Sequence, residues 1–229
     1  MHFNVITLFP DMVKDVLSYG VIGKALESGL LTLQCFNPRD YADNKHNRVD
    51  DKPFGGGSGM VMMYDPLCRT LDAINASHDP GRVVFMTPQG KPLKQQACNS
   101  WSTQSAMTLL CGRYEGVDQR FIDRFVDEEI SIGDYVISGG EMAACVVIDA
   151  VGRQVAGVLG SDESAATDSF MNGQLGYPQY TRSELLGQSG VPDVLLSGHH
   201  LAIQQWRDEQ SAALTKQRRP DLLEGTSEG

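Results

Sequence analysis

Two stretches decide how this chain reads: Cys-Gly-Arg-Tyr-Glu-Gly at 111–116 and Ile-Gly-Asp-Tyr-Val-Ile-Ser-Gly-Gly-Glu at 132–141. Each sets glycines beside an aromatic and an acid, directly after an apolar run. Glycine tolerates φ > 0 and lets backbone approach a ligand closely. Strand, glycine turn, then helix is how an open α/β sheet builds a pocket at the carboxyl ends of its strands. Two such loops so near in sequence predict one pocket with two walls. Neither is a phosphate loop: no Gly-x-Gly-x-x-Gly follows the first strand, and no Gly-x-x-x-x-Gly-Lys-Ser/Thr occurs. The pattern points to a non-standard pocket for a nucleoside-like molecule.

The flanking sequence alternates strands with helices. Phe3–Phe9 reads as a strand closed by Pro10, and Asp11 as the cap of one helix to about Glu27 with Val13, Val16, Leu17 and Val21 on one face. A strand follows at 31–36. From 37 to 59 periodicity vanishes and the segment ends in Gly55-Gly56-Gly57-Ser58-Gly59, a long loop of the kind that is functional or disordered. Further on come a helix over 65–76, a strand over 82–86 with a turn at Thr87-Pro88-Gln89-Gly90, a helix near 92–103, a strand over 106–111, a short helix near 118–125 and a strand over 129–132. The segment 141–155 is apolar almost all round, which marks a helix buried in a core or an interface. This order predicts an α/β fold with a mainly parallel sheet. Residues 1–159 form the expected larger domain, 160–176 a linker rich in Ser, Asp, Gly and Asn, and 177–229 a small helical domain with a helix from 198 to about 214.

Composition narrows the class. The chain has 229 residues, 41% hydrophobic and 21% charged, enough for a sizeable core. Five cysteines are widely spread with no Cys-x-x-Cys, so reduced thiols fit better than disulfides or zinc. No run approaches a membrane span. The first ten residues lack a basic region and read as a strand, so a cytoplasmic protein is expected. Net charge is −10, which weighs against gripping nucleic acid over the whole surface. Acids gather at Asp127-Glu128-Glu129 and Asp162-Glu163, whereas 199–219 holds Arg207, Lys216, Arg218 and Arg219 against Asp208 and Glu209. That asymmetry permits a nucleic-acid contact at one end.

Seven motifs stand in order: Asn-Pro-Arg-Asp (37–40), Val-Asp-Asp-Lys-Pro-Phe-Gly-Gly-Gly-Ser-Gly-Met (49–60), the two glycine loops, Thr-Asp-Ser-Phe (167–170), Pro-x-Tyr-Thr-Arg (178–182) and Leu-Ser-Gly-His-His (196–200). Together they closely resemble the bacterial tRNA (guanine-N1)-methyltransferases, from Val5 to about Leu223. The resemblance implies a SPOUT domain with a deep trefoil knot, which periodicity alone would argue against. It also implies a homodimer with active sites shared between subunits, S-adenosylmethionine as methyl donor, a magnesium requirement, and methylation of guanosine 37 of tRNA, next to the anticodon, with a preference for guanosine at position 36. In that family the chain continues with another helical stretch after the motif matched by 219–223; here the tail 225–229 reads as disordered.

Guanine N1 carries a hydrogen at neutral pH, so methylation there needs a base at N1 and a cation or donor facing the charge left on O6. By resemblance Asp168 is the base and Arg153 the oxyanion partner, a task suited to a permanently charged, planar fork. Read alone, Asp168 is a turn or N-cap residue and Arg153 a cation at a helix C-terminus. The cofactor pocket draws on Thr87, Pro88, Gly112, Tyr114, Glu115, Ile132, Gly133, Asp134, Tyr135, Val136, Ile137, Gly139 and Gly140. The tRNA would meet His46, Asp50, Gly59, Arg182, Ser197, His199, Lys216, Arg218 and Arg219. Asp50 suits a guanine donor edge and the cations suit phosphates. Nothing in the sequence marks metal ligands, although Glu115 and Asp168 are acids near the expected chemistry. Two readings stay open beside this one: a knotted methyltransferase acting on another RNA, and a catalytically silent RNA- or nucleoside-binding module.

Overall fold

A computed structural model describes residues 1–160 and 167–224. It divides into two compact units, Met1–Gly160 and Ser161–Gly229. Residues 161–166 of the expected linker, Asp162 and Glu163 among them, and the tail 225–229 lie outside the described residues.

The first unit is built on a five-stranded, wholly parallel sheet in the order β2-β1-β6-β5-β7. Its strands are β1 (His2–Ile6), β2 (Thr32–Phe36), β5 (Arg82–Pro92), β6 (Ala106–Cys111) and β7 (Glu128–Ser131). Helices α1 (Pro10–Leu17), α2 (Gly20–Glu27), α3 (Tyr64–Ser77), α4 (Gln95–Trp101), α5 (Gln119–Phe125) and α6 (Gly140–Gly152) cover it. Every residue of central β6 is buried. Side chains alternate between faces with a period of two. Phe3, Val5, Val84, Met86, Met107 and Leu109 pack with Val147, Ile148 and Val151 of α6 on one side. Ile6, Val83, Phe85 and Leu110 pack with Leu67, Leu71, Ile74 and Phe121 of α3 and α5 on the other. These are the two covered faces that a parallel sheet requires.

Several boundaries differ from the sequence reading. The first strand stops at Ile6, and Pro10 starts α1 where its missing N–H costs nothing. Phe9 holds the N-cap position, and Asp11 lies in the first turn instead of capping. The single helix expected over 11–27 is two, broken where Gly20 adopts φ +68°. The break rotates the apolar face: Val13, Leu17, Ile22 and Ala25 are buried, while Val16 and Val21 are exposed. The turn expected at 87–90 interrupts β5: Met86 and Lys91 both pair with Ile130 of β7, and the four residues between them bulge out of the ladder. Helix α6 ends at Gly152, where an added Cβ would press on Leu31 and Ile22 at 2.9 and 3.0 Å. Residues 37–60 are not wholly irregular: a 3₁₀ turn spans Pro38–Tyr41, and β3 (Asp50–Asp51) pairs antiparallel with β4 (Val61–Met62).

The second unit holds α7 (Asp193–Leu196), α8 (His200–Arg218, starting and ending later than the helix expected from 198 to about 214) and α9 (Asp221–Glu224). No helix among the described residues is long and apolar enough to cross a membrane.

At the amino-terminal edge of the sheet, both ring nitrogens of His2 are hydrogen-bonded, Nδ1 to Thr32 Oγ1 at 2.6 Å and Nε2 to Asn4 Oδ1 at 2.9 Å. The ring stacks on His78 at 4.8 Å. Burial, opposed by the Asn4 bond and reinforced by His78, pulls the His2 pKa below its ordinary 6.5. The unfolded chain therefore binds more protons than the native one just below pH 6.5, and stability present above that value is lost as the solution is acidified. Nearby Asp79, held below the usual carboxylate range chiefly by the Gly81 N–H and then by Ser105 Oγ, acts only at still lower pH. The urea midpoint should fall between pH 7.5 and about 5.5 in the wild type, and less steeply in His2→Gln.

Candidate active site

The carboxyl ends of β5, β6 and β7 open onto one cavity of about 400 Å³. Residues 85–89, 112–117 and 130–140 supply most of its lining. Its two walls meet through main chain. Gly140 N–H donates to Gly112 O at 2.9 Å, and a Cβ on Gly140 would lie 2.7 Å from Cys111 Cα. No larger residue fits at that junction without moving backbone. Gly140→Ala should cost about 1–3 kcal/mol of folding stability, measurable by urea unfolding.

Behind the junction lies a buried ion pair. Glu141, the first acid of α6, is fully buried. Arg113 Nε donates to Glu141 Oε2 at 2.9 Å, and Thr7 Oγ1 donates to Oε1 at 2.9 Å. Arg113 Nη1 also donates to Ser138 O at 3.0 Å, and its guanidinium lies 4.4 Å over the Phe9 ring. One guanidinium thus ties the end of β1, the loop after β6 and the entrance of α6. The close approach explains Gly139, whose added Cβ would sit 2.2 Å from Arg113 Nε. Cys111 lies beneath this network; burial, then the Glu141 charge, pushes its thiol well above the ordinary range.

Of the residues expected around the cofactor, Thr87, Pro88, Gly112, Tyr114, Glu115, Ile132, Gly133, Tyr135, Val136, Ile137, Gly139 and Gly140 line this cavity, and Asp134 does not. Gln89, Arg113 and Ser138 line it as well. Tyr114 adopts φ +61°, a conformation costly for a side chain with Cβ. Partial burial raises its phenol pKa, with Asp50 adding to the rise and Arg39 opposing it. Asp50 is therefore drawn to the cavity mouth, from β3. Gly59 is there too: its added Cβ would lie 2.4 Å from Glu115 Oε1, and Glu115 N–H donates to Met60 O at 2.8 Å. His46 sits further along the same loop, its backbone N–H on Asn44 Oδ1 at 3.3 Å. Arg153 follows α6 as its C-cap, its N–H on Asp149 O.

The remaining expected residues belong to the second unit. Asp168 lies in a turn in which its carbonyl accepts from Met171 N–H at 3.4 Å. Ser197 Oγ accepts from His199 N–H at 3.1 Å, and His199 Nδ1 accepts from Ala202 N–H at 3.1 Å. His199 thus caps α8, the role its sequence position allows without any ligand. Lys216 and Arg218 are exposed on the last turn of α8. Arg219 is committed to Asp221 through two hydrogen bonds at 2.9 and 2.7 Å. Arg182 lines a second cavity, within this unit alone.

Fold and cavity together define the class: an open parallel α/β protein whose ligand site lies at the carboxyl ends of its strands. Within that class the chain belongs to the tRNA (guanine-1)-methyltransferase TrmD family, whose pattern matches residues 1–225. It is 50% identical over 228 residues to the tRNA (guanine-N(1)-)-methyltransferase of Pseudomonas fluorescens, covering 99% of this chain and 91% of that one. The enzyme of the same name from Halorhodospira halophila is 51% identical, covering 98% and 85%. That from Ralstonia nicotianae is 50% identical, covering 98% and 86%.

Proposed function

We propose that this protein transfers a methyl group from S-adenosylmethionine to N1 of guanosine 37 in tRNA, next to the anticodon. The observation that carries the reading is the glycine-walled cavity of about 400 Å³, set in a chain that matches the family from end to end. The cavity fits the donor: Gly112 and Gly140 present bare main chain, and Ile132, Tyr135 and Ile137 add apolar and aromatic surface for a nucleoside. When bound there, S-adenosylmethionine supplies an electrophilic methyl group. Asp168 takes the proton from guanine N1 as general base. Arg153 faces the charge that spreads to O6. Asp50 accepts from the guanine donor edge. His46, Arg182, Lys216 and Arg218 hold phosphates, and Ser197 and His199, at the start of α8, contact the RNA as well.

On this reading residues 1–159 form the cofactor domain, threaded as the SPOUT knot, and 177–229 the tRNA domain. The protein works in the cytoplasm as a homodimer with shared active sites. Exposed apolar side chains on neighbouring helices support a dimer: Val16 of α1, Val21 of α2, and Met142 and Val146 of α6. Magnesium finds no such support. Among the described residues no group of three His, Cys, Asp or Glu is placed to hold a metal, and no step here passes through one.

The test is methyl transfer from radiolabelled S-adenosylmethionine to tRNA transcripts that differ only at position 37. Label in the guanosine transcript alone is the expected result. Absence of transfer to every tRNA would end the enzymatic reading.

A further inference from the structure

The second unit has a cavity of its own, about 650 Å³, within the usual range for small-ligand sites. Tyr177 and Tyr180 enter it from the irregular segment that follows the turns at 167–174, and Trp206 and Arg207 from the middle of α8. Arg207 Cζ lies 4.8 Å over the Tyr177 ring, and the Tyr180 and Trp206 rings are 6.3 Å apart. Arg182 completes the polar side.

Three features of this lining ask for a ligand. First, none of its residues is acidic, although the chain carries 29 Asp and Glu against 19 Lys and Arg. Second, among the described residues neither Arg182 nor Arg207 has a carboxylate within ion-pair distance, whereas Arg113, Arg120 and Arg219 all do. Third, Arg207 Nε is buried with no hydrogen-bond acceptor. An unsatisfied buried donor costs about 1–3 kcal/mol, and an incoming acceptor removes that cost. Two unpaired guanidiniums match a phosphate. The exposed Tyr180 ring, beside Trp206, matches a base, since stacking needs a face and not a particular edge pattern. A bare anion would leave the rings without a role, and a metal would find no oxygen charge.

We propose that this cavity is a nucleotide subsite: Tyr180 and Trp206 take one unstacked base of the RNA, and Arg182 and Arg207, the latter held over the Tyr177 ring, take its phosphate. It rests on the reading of the chain as a tRNA-modifying enzyme, and its lining comes from the second unit alone. Its contribution is to grip, so it changes tRNA affinity and leaves the chemical step alone.

The protein carries two tryptophans, Trp101 and Trp206, and Trp101 is buried in the other unit. A six-nucleotide single-stranded RNA should quench Trp206 fluorescence saturably, and Trp206→Phe should abolish that change. Arg207→Gln and Trp206→Leu should each raise the tRNA Kd about 5- to 100-fold. Arg207→Gln should also reduce the salt slope by about one, with S-adenosylmethionine affinity and kcat at saturating tRNA unchanged. If either variant alters the thermal melting of the protein, the saturable quenching of Trp206 by RNA in the wild type decides instead, its absence overturning the subsite. Wild-type affinity and salt slope in these variants, in a protein that does methylate tRNA, would overturn the subsite and spare the enzyme. Quenching that follows protein concentration and ignores RNA would assign the cavity to a second copy of the chain and overturn it equally. Quenching by RNA that Arg207→Gln weakens, without methyl transfer to any tRNA, would uphold the subsite and remove the enzyme.

Discussion

Asp168→Asn is expected to slow methyl transfer to tRNA by about 10²- to 10⁴-fold, the usual worth of a positioned general base. Asparagine keeps the shape of the side chain but cannot take the N1 proton. The turn that holds the residue uses its backbone carbonyl, which accepts from Met171 N–H, so the substitution leaves that bond in place. Binding of S-adenosylmethionine and of tRNA should therefore stay near wild type while the single-turnover rate falls. A matching loss of cofactor affinity would mean that Asp168 shapes the site and does not act on the proton. An unchanged rate would remove it from the chemistry altogether.

Glu141→Ala should lower folding stability by about 3–5 kcal/mol, the cost of stranding the partner of a buried ion pair. Glu141 is fully buried and the Arg113 side chain is 19% exposed, so solvent can do little for the guanidinium left behind. Thr7 Oγ1 loses its acceptor at the same time. Glu141→Gln keeps an oxygen for Thr7 and should cost less. Replacing both members of the pair with leucine should restore much of the stability, because the desolvated charge is then gone from both sides. It should not restore cofactor affinity, since Ser138 and the 132–139 wall lose the Arg113 tether. Urea unfolding together with cofactor titration of the two single variants and the double variant separates these effects. A single variant as stable as wild type would show the pair to be worth nothing.

Much of this architecture was legible in the residues. The apolar runs at 82–86 and 106–111 mark strands because a parallel sheet covered on both faces wants unbroken hydrophobicity. The glycine loops mark walls because bare main chain has few other uses after a strand. Other features depend on contacts far apart in sequence. Arg113 lies inside the first quoted loop, yet its partner is 28 residues away, and no local pattern links them. The break between α1 and α2 hides because Val16 and Val21 continue a plausible helical stripe, while Gly20 takes a left-handed turn that rotates it. The turn at 87–90 shows in the sequence because Pro and Gly are common in turns, but that the strand resumes beyond it, with Lys91 on the same Ile130 as Met86, depends on β7. The aromatic cavity of the second unit is invisible for the same reason: Tyr177 and Arg207 are thirty residues apart in sequence and meet only when α8 folds against the segment before it.

The main-chain junction between Gly112 and Gly140 has a consequence for inhibition. A competitor that draws its affinity from those peptide groups confronts positions where mutation carries a folding penalty. One that leans on Val136 or Ile137 confronts exposed side chains whose exchange carries no such penalty. Drug resistance should therefore emerge at the apolar residues and spare the glycines.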